Sequence, residues 1–506
     1  MSSEIVTFGV SLGNSTCCIA VNRNSNIDVV ANASGERVTP AVTTFLESEV
    51  VTGTAAKQAL VRHDRCSVTG ALRAIDSKAN DDLVFPLNLK CHLSHDTKKP
   101  KFVLVDGERN QHVTPEEALR HIFTLLKDIA SSHSKDEKLP VVIAVPAWIS
   151  SGMTSSVYNI ANASGFHVIK TISQPSASCL AYDLLNDNKD SMNVLIFHCG
   201  GTSIVSSVGE IAGGLLSIKE TSYSLTASGD AITNVLVDHF GKEFFSKYRG
   251  DPLENRRSRR KLFTVSENSK HVLSTMSSAQ VYAESLWEGV DFSTQLSRGR
   301  FEGLISPLLN EFLAPAREVL QRTNLSFDKI DKVVLSGGTC KIPKLQNVIS
   351  ETFKNAEILK KFPADEILAI GAAKEASFYI SGKKSNVQSS LCLLPCLSAP
   401  VYIKIQEKKE SQCIFTSGTP SHSHQSLLLE CPKGSSSLLI YEAMEASEFP
   451  SEDQILAQIE LNFMDVSTPV NLQVESHLKN DGSMVVKMVE PLSKLNKSFI
   501  IEAGQS

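Results

Sequence analysis

Short apolar runs ending in glycine turns set the pattern of the first 380 or so residues. Runs 5–10 and 194–197 lead into Ser11-Leu12-Gly13-Asn14-Ser15-Thr16 and His198-Cys199-Gly200-Gly201-Thr202-Ser203, and each turn is followed by a second strand-like run. Between and after them the pattern alternates: strand 141–145, helix 150–164, strand 168–172, helix 175–185. Such alternation predicts an α/β fold. Recurrence of the strand-turn-strand unit predicts two lobes of related construction facing a cleft. A third glycine turn, Ser336-Gly337-Gly338-Thr339, follows strand 332–335 and precedes a helix over 344–353. Glycine there lets the backbone approach a ligand closely.

After Ala372-Ala373 the helical pattern fades into Ser381-Gly382-Lys383-Lys384-Ser385-Asn386, which reads as a linker. The period then changes to that of strands: 401–405, 426–430, 437–441, 455–461, 471–476, 484–488 and 499–501, with Asn480-Asp481-Gly482 as a hairpin turn. The organisation expected is a nucleotide-binding domain over 1–383, a linker over 384–394 and a small antiparallel β domain over 395–506.

Composition narrows the function. At 506 residues and a net charge of −5, the chain is long enough for two cores and has no general attraction for nucleic acid or anionic membrane. Met1-Ser2-Ser3-Glu4 is no signal peptide, and run 141–146 is too short to span a bilayer, so a cytosolic address without membrane contact is expected. Eleven cysteines without zinc-type spacing read as reduced thiols, and no metal site is expected. The most basic run, Arg256-Arg257-Ser258-Arg259-Arg260-Lys261, reads either as a contact to RNA phosphates or as a solvated helix face. Backbone N–H groups at paired glycine turns can hold phosphates. Hydrolysis also needs a metal positioned by carboxylates, an oriented water and a cation, and neither turn carries an acid.

Gly35-Glu36-Arg37-Val38-Thr39-Pro40, Val145-Pro146-Ala147, Pro175-Ser176-Ala177, Asn193-Val194-Leu195-Ile196-Phe197, Asp291-Phe292, Arg300-Phe301-Glu302, Val334-Leu335-Ser336-Gly337-Gly338, Ile342-Pro343-Lys344 and Asp365-Glu366 occur in this order along the chain. With the two hairpins, they make a sequence that resembles the 70-kilodalton heat-shock protein family. The resemblance implies a two-lobed, actin-like ATPase fold followed by a substrate-binding-type β sandwich. About 110 residues follow the linker, so no helical lid is expected. The tail lacks the acidic end by which cytosolic members recruit helpers.

The resemblance also assigns the site. Gly13, Asn14, Ser15, Thr16, Gly200, Gly201, Thr202 and Ser203 take the phosphate positions. Gly229 and Asp230 match another nucleotide-contact stretch. Glu267, Lys270 and Ser274, spaced to share one helix face, match adenosine contacts. Gly337, Gly338, Thr339, Lys341 and Asp365 line the other side, with lysine in place of an arginine that covers the base. The family's catalytic positions are replaced: Ser11 and His198 stand for aspartates, Leu72 for the lysine beside Arg73, Gln174 for a glutamate and Val205 for an acid. Binding of ATP without tightly held magnesium, and with negligible hydrolysis, is therefore expected.

The short architecture is similar to atypical members of the family. These are ribosome-associated chaperone components that work with a zuotin-type J-domain partner on nascent chains, and direct RNA contact would run through Arg256, Arg257, Arg259, Arg260 and Lys261. The segment Leu391-Cys392-Leu393-Leu394 matches the family's interdomain docking segment, with Ser389-Ser390 in place of its leading acid. The alternative readings are an active ATP-driven, peptide-binding foldase and a small-molecule kinase of the same two-lobed fold.

Overall fold

Each of the first two glycine turns joins the middle strand of a five-strand path to its antiparallel neighbour, and the two paths are built alike. In the first, Phe166–Ser173, Leu139–Val145, Val6–Leu12, Thr16–Arg23 and Asn26–Val29 lie side by side, with Val38–Pro40 also pairing Thr16–Arg23. In the second the equivalent order is Glu357–Leu359, Lys332–Ser336, Met192–Cys199, Ile204–Ala212 and Leu215–Ser224. Both run antiparallel on the hairpin side of the middle strand and parallel on the other. The repeated motif of the sequence is thus a repeated topology. The computed structural model describes residues 6–384 and 397–502, apart from 25, 76–91, 95–99, 107–108, 135–137, 187–190, 213–214, 398, 407, 409, 418, 420–422, 433, 444–449, 452–453, 464–469, 480–482 and 491–494.

Alternation along Val6–Leu12 explains how both faces are buried. Phe8, Val10 and Leu12 enter one core with Val141, Ile143 and helix Pro115–Ser131, whose N-cap Thr114 accepts from Glu117 N–H at 3.1 Å. Gly9 faces the opposite way, onto the backbone of helix Ile367–Lys384. A further core joins Ala20, Val142 and Ala144 of the first sheet to Val194, Ile196 and Val334 of the second, around Ala177, Ala369, Ala372 and Ala373. Small side chains there let two helices sit between the sheets.

Two local readings change. The helix expected over 175–185 ends at Ala181, because Asp183 takes a left-handed φ of 55° and a short 3-10 turn, Leu184–Asn186, follows. Helix Ile367–Lys384 continues through residues read as linker, since one glycine costs a helix only ~1 kcal/mol.

The chain divides into two compact units, Met1–Ser381 and Gly382–Ser506. In the second, Ser411–Phe415, Val401–Ile405, Gly434–Glu442 and Ile455–Phe463 form one antiparallel sheet, and His424–Cys431, Val470–Leu478, Met484–Glu490 and Leu495–Ile501 another. Alternate residues such as Ile403, Ile440, Leu461, Leu472, Val474 and Val486 share one core, as in a β sandwich. Strand Ser411–Phe415 has no alternating signature in the sequence, since it is five residues long and opens on polar Ser411-Gln412. Among the described residues no α-helix follows Lys384. The hairpin turn 480–482, the segment 385–394, Cys392, Cys396 and the first residues lie outside the described residues.

Candidate functional site

The two glycine turns share one geometry: Gly13 N–H donates to Thr16 O at 3.0 Å, and Gly200 N–H to Ser203 O at 2.9 Å. Their tips meet. Asn14 Nδ2 donates to Thr202 Oγ1 at 3.3 Å, while Asn14 Oδ1 accepts from Arg73 N–H at 3.1 Å. Arg73 Nη2 donates to the Thr202 carbonyl at 3.3 Å, closing a bridge between the lobes. A Cβ on Gly201 would stand 2.4 Å from Ser15 Oγ, so any side chain there would force Ser15 to turn away. Arg73 is buried beside the Trp148 ring, 5.5 Å from its centroid; desolvation lowers its pKa to about 10, and Asp230 works against that.

The positions expected to stand for the family's catalytic groups carry neutral side chains. Ser11 is buried in register with Cys18 and Ala144, Leu72 belongs to the first core, and Gln174 is buried at the start of helix Gln174–Ala181. His198 and Val205 oppose one another across the second hairpin. His198 Nδ1 lies 3.1 Å from Ser336 Oγ, and burial drops the ring's pKa to about 4, so it is neutral at physiological pH. Among the described residues no group of three or more His, Cys, Asp or Glu is placed to hold a metal.

One acid does reach the tips. Asp230, in the first turn of helix Gly229–Tyr248, donates its N–H to Gly201 O at 2.8 Å, and its Oδ1 is 3.7 Å from where a Gly201 Cβ would be. Desolvation raises its pKa from 3.8 to about 6, against the pull of Lys270. The folded state therefore holds this proton more tightly than the unfolded chain. Its contribution to stability falls as pH rises from about 4 through 6, and the penalty is complete above that. Asp230→Asn is expected to raise the melting temperature at pH 8 and to leave it nearly unchanged at pH 4; equal shifts at both would show that the carboxyl is not perturbed.

The side expected to face the nucleoside comprises helix Arg256–Thr275 and the third turn. Lys270 is buried, its Nζ donating to Gly229 O at 2.8 Å and Thr233 Oγ1 at 2.7 Å, and desolvation lowers its pKa. Glu267 pairs with Lys57 of the first lobe at 3.0 Å, and Ser274 Oγ donates to Lys270 O at 3.1 Å. Gly229 N–H and Thr339 Oγ1 both donate to Gly200 O at 3.0 Å. Gly337 has φ +87°, and its missing Cβ would stand 2.3 Å from Cys199 O. Lys341 Nζ pairs with Asp365 at 2.6 Å, and Gly338 adjoins Asp365. Thr16 opens its strand and Ser203 closes its turn.

His271 was missed by sequence reasoning. It lies in the field of Lys270, Glu267, Lys57 and Lys341, where desolvation first and then Lys270 hold its pKa below the ordinary value. Its adjacency to Lys270 was the available signal. The basic run is not one uniform face: Arg256 pairs with Asp64, Arg260 is buried, and Lys261 Nζ donates to Glu284 O and Ser285 O at 2.7 and 2.8 Å. The eight cysteines among the described residues form no disulfide, and burial pushes the thiols of Cys17, Cys179 and Cys340 up to about 12.

Residues 7–480 match the family described as Hsp70 protein. The chain belongs to the Hsp70 family of nucleotide-binding chaperones. It is 34% identical over 492 residues to Heat shock 70 kDa protein 14 of Mus musculus, covering 95% of this chain and 96% of that protein. It is also 30% identical over 508 residues to the Danio rerio protein of that name, with 99% of each covered, and 32% identical over 509 residues to Heat shock 70 kDa protein 14-B of Xenopus laevis, covering 98% and 99%. Among the described residues no helix is long and apolar enough to cross a membrane.

A phosphate chain fits the donor set, because the backbone N–H groups of Asn14, Ser15, Gly201 and Thr202 have no acceptor among the described residues. Ser11, His198 and Val205 supply a hydroxyl, a neutral ring bonded to Ser336 and a methyl surface in place of carboxylates, which leaves Asp230 as the acid against the Gly201 tip.

Proposed function

We propose that this chain is a cytosolic Hsp70-type scaffold that binds ATP, cleaves little or none of it, and presents one lobe arrangement to a J-domain partner of the zuotin type at the ribosome, in the service of nascent-chain folding. The observation that carries this reading is the Asn14–Thr202–Arg73 bridge, which links the lobes where catalysis would need acids and a free lysine. ATP would be held by the N–H groups of both turns and by the Glu267–Lys270 face. A ligand that binds only the folded state stabilises it by about 2.7 kcal/mol at a hundredfold excess over Kd. Saturating ATP is therefore expected to raise the melting temperature by several degrees, with magnesium omitted as well as present. No shift in either condition would leave the turns as structural relics.

The ribosome reading is supported by overall similarity to the short relatives, and by Arg257 and Arg259, whose side chains have no bond among the described residues. Intact protein purified from cell extract should bring a J-domain partner with it and sediment with ribosomes; a monomer remaining in the supernatant counts against it. The foldase alternative draws on Asp230, whose pKa of about 6 suits proton transfer near neutrality, and it predicts ATP turnover stimulated by unfolded peptide.

A further inference from the structure

A cavity of 410 Å³ lies away from the nucleotide cleft, where the end of helix Gly229–Tyr248 meets the hairpin formed by Ser278–Trp287 and Val290–Ser297. Phe244, Phe245, Tyr248 and Trp287 wall it, and the charged lining is three carboxylates, Asp251, Glu254 and Glu288, against the single guanidinium of Arg249. The cavity is shaped rather than incidental. Gly250 makes room for the indole: a Cβ there would stand 2.7 Å from both Cδ1 and Nε1 of Trp287. Glu288 and Gly289, with φ of 46° and 82°, turn the hairpin tip directly after that ring, and Phe244 and Tyr248 pack with centroids 4.8 Å apart. The same helix already lays one cation on a ring, since Lys247 Nζ is 5.7 Å from the Phe292 centroid.

We propose that this cavity docks an alkylammonium group, the side chain of a lysine in a basic segment of a partner protein. Aromatic faces carry negative potential and attract such cations, most strongly over tryptophan. An apolar occupant would desolvate the carboxylates without compensation, and an anion would be repelled by them. Phe245 and Tyr248 are 48% and 47% exposed, so a small ion would leave much ring surface in water, whereas a peptide backbone would cover it.

Calorimetric titration of the full-length chain tests this with a hexapeptide of alternating glycine and lysine, the same peptide with norleucine for lysine, and tetramethylammonium chloride alone. The lysine peptide is expected to bind at least about tenfold tighter than the norleucine peptide. Glu254→Gln with Glu288→Gln, both exposed, should remove most of that difference without changing the melting temperature. Gly250→Val, which pushes a side chain into the indole, should weaken the lysine peptide comparably. Equal binding of both peptides, or unchanged binding in the paired glutamine variant, would overturn the proposal. Tetramethylammonium binding as tightly as the peptide would assign the cavity to free amines and overturn the protein-docking form of it.

Discussion

Under single-turnover conditions the purified chain is expected to cleave ATP at least about 100-fold more slowly than Hsp70 proteins that keep the aspartates and the lysine. Loss of one electrostatic or acid–base group commonly costs ~10²- to 10³-fold, and groups acting as a unit do not lose rate additively, so one such factor is the safe lower bound. Leu72 is sealed in a core, Val205 offers no polar atom, and His198 is neutral and bonded to Ser336. Leu72 and Val205 can neither orient water nor hold a metal, and the neutral His198 brings no negative charge to a metal beside a terminal phosphate. A rate like that of ordinary family members, abolished by Asp230→Asn, would hand the acid's role to Asp230 and end the silent-site reading.

Gly9→Ala is expected to destabilise the unit 1–381 by about 3 kcal/mol or to prevent its folding, the upper end of the usual overpacking cost. The new methyl would fall 2.1 Å from Ala373 N and 2.3 Å from Ala369 O, atoms of a helix backbone that no rotamer change can move. On its far side that helix is equally confined, since a Cβ on Gly371 would stand 1.8 Å from Ala177 O. Gly152→Ala is the matched control: it faces open space inside helix Ser151–Ala163 and should be neutral or stabilising by up to ~1 kcal/mol. Urea unfolding of the two variants separates them. Similar midpoints would mean that the helix is not seated between the sheets.

Much of the fold was legible because its signals are local. The hairpin turns, the third glycine turn and most strands of the C-terminal sandwich are each written in a few consecutive residues, where glycine and alternation act directly on the backbone. Absence of acids at Ser11, His198 and Val205 could be read the same way. The short strand Ser411–Phe415 could not, because its pairing with Val401–Ile405 outweighed a weak local pattern, and neither could the continuation of helix Ile367–Lys384, whose polar residues and single glycine disfavour a helix without preventing it.

Sequence alone determined which chemical groups line the cleft and which are missing from it. Tertiary structure decided what those groups do to one another. Asn14 meets Arg73 and Thr202 across 59 and 188 residues of chain, and Lys57 finds Glu267 on the opposite lobe. Desolvation then raises Asp230 and silences His198. Turn geometry depends on neighbours along the chain, whereas bridging and burial depend on where the two sheets bring distant residues together, and only the fold specifies that.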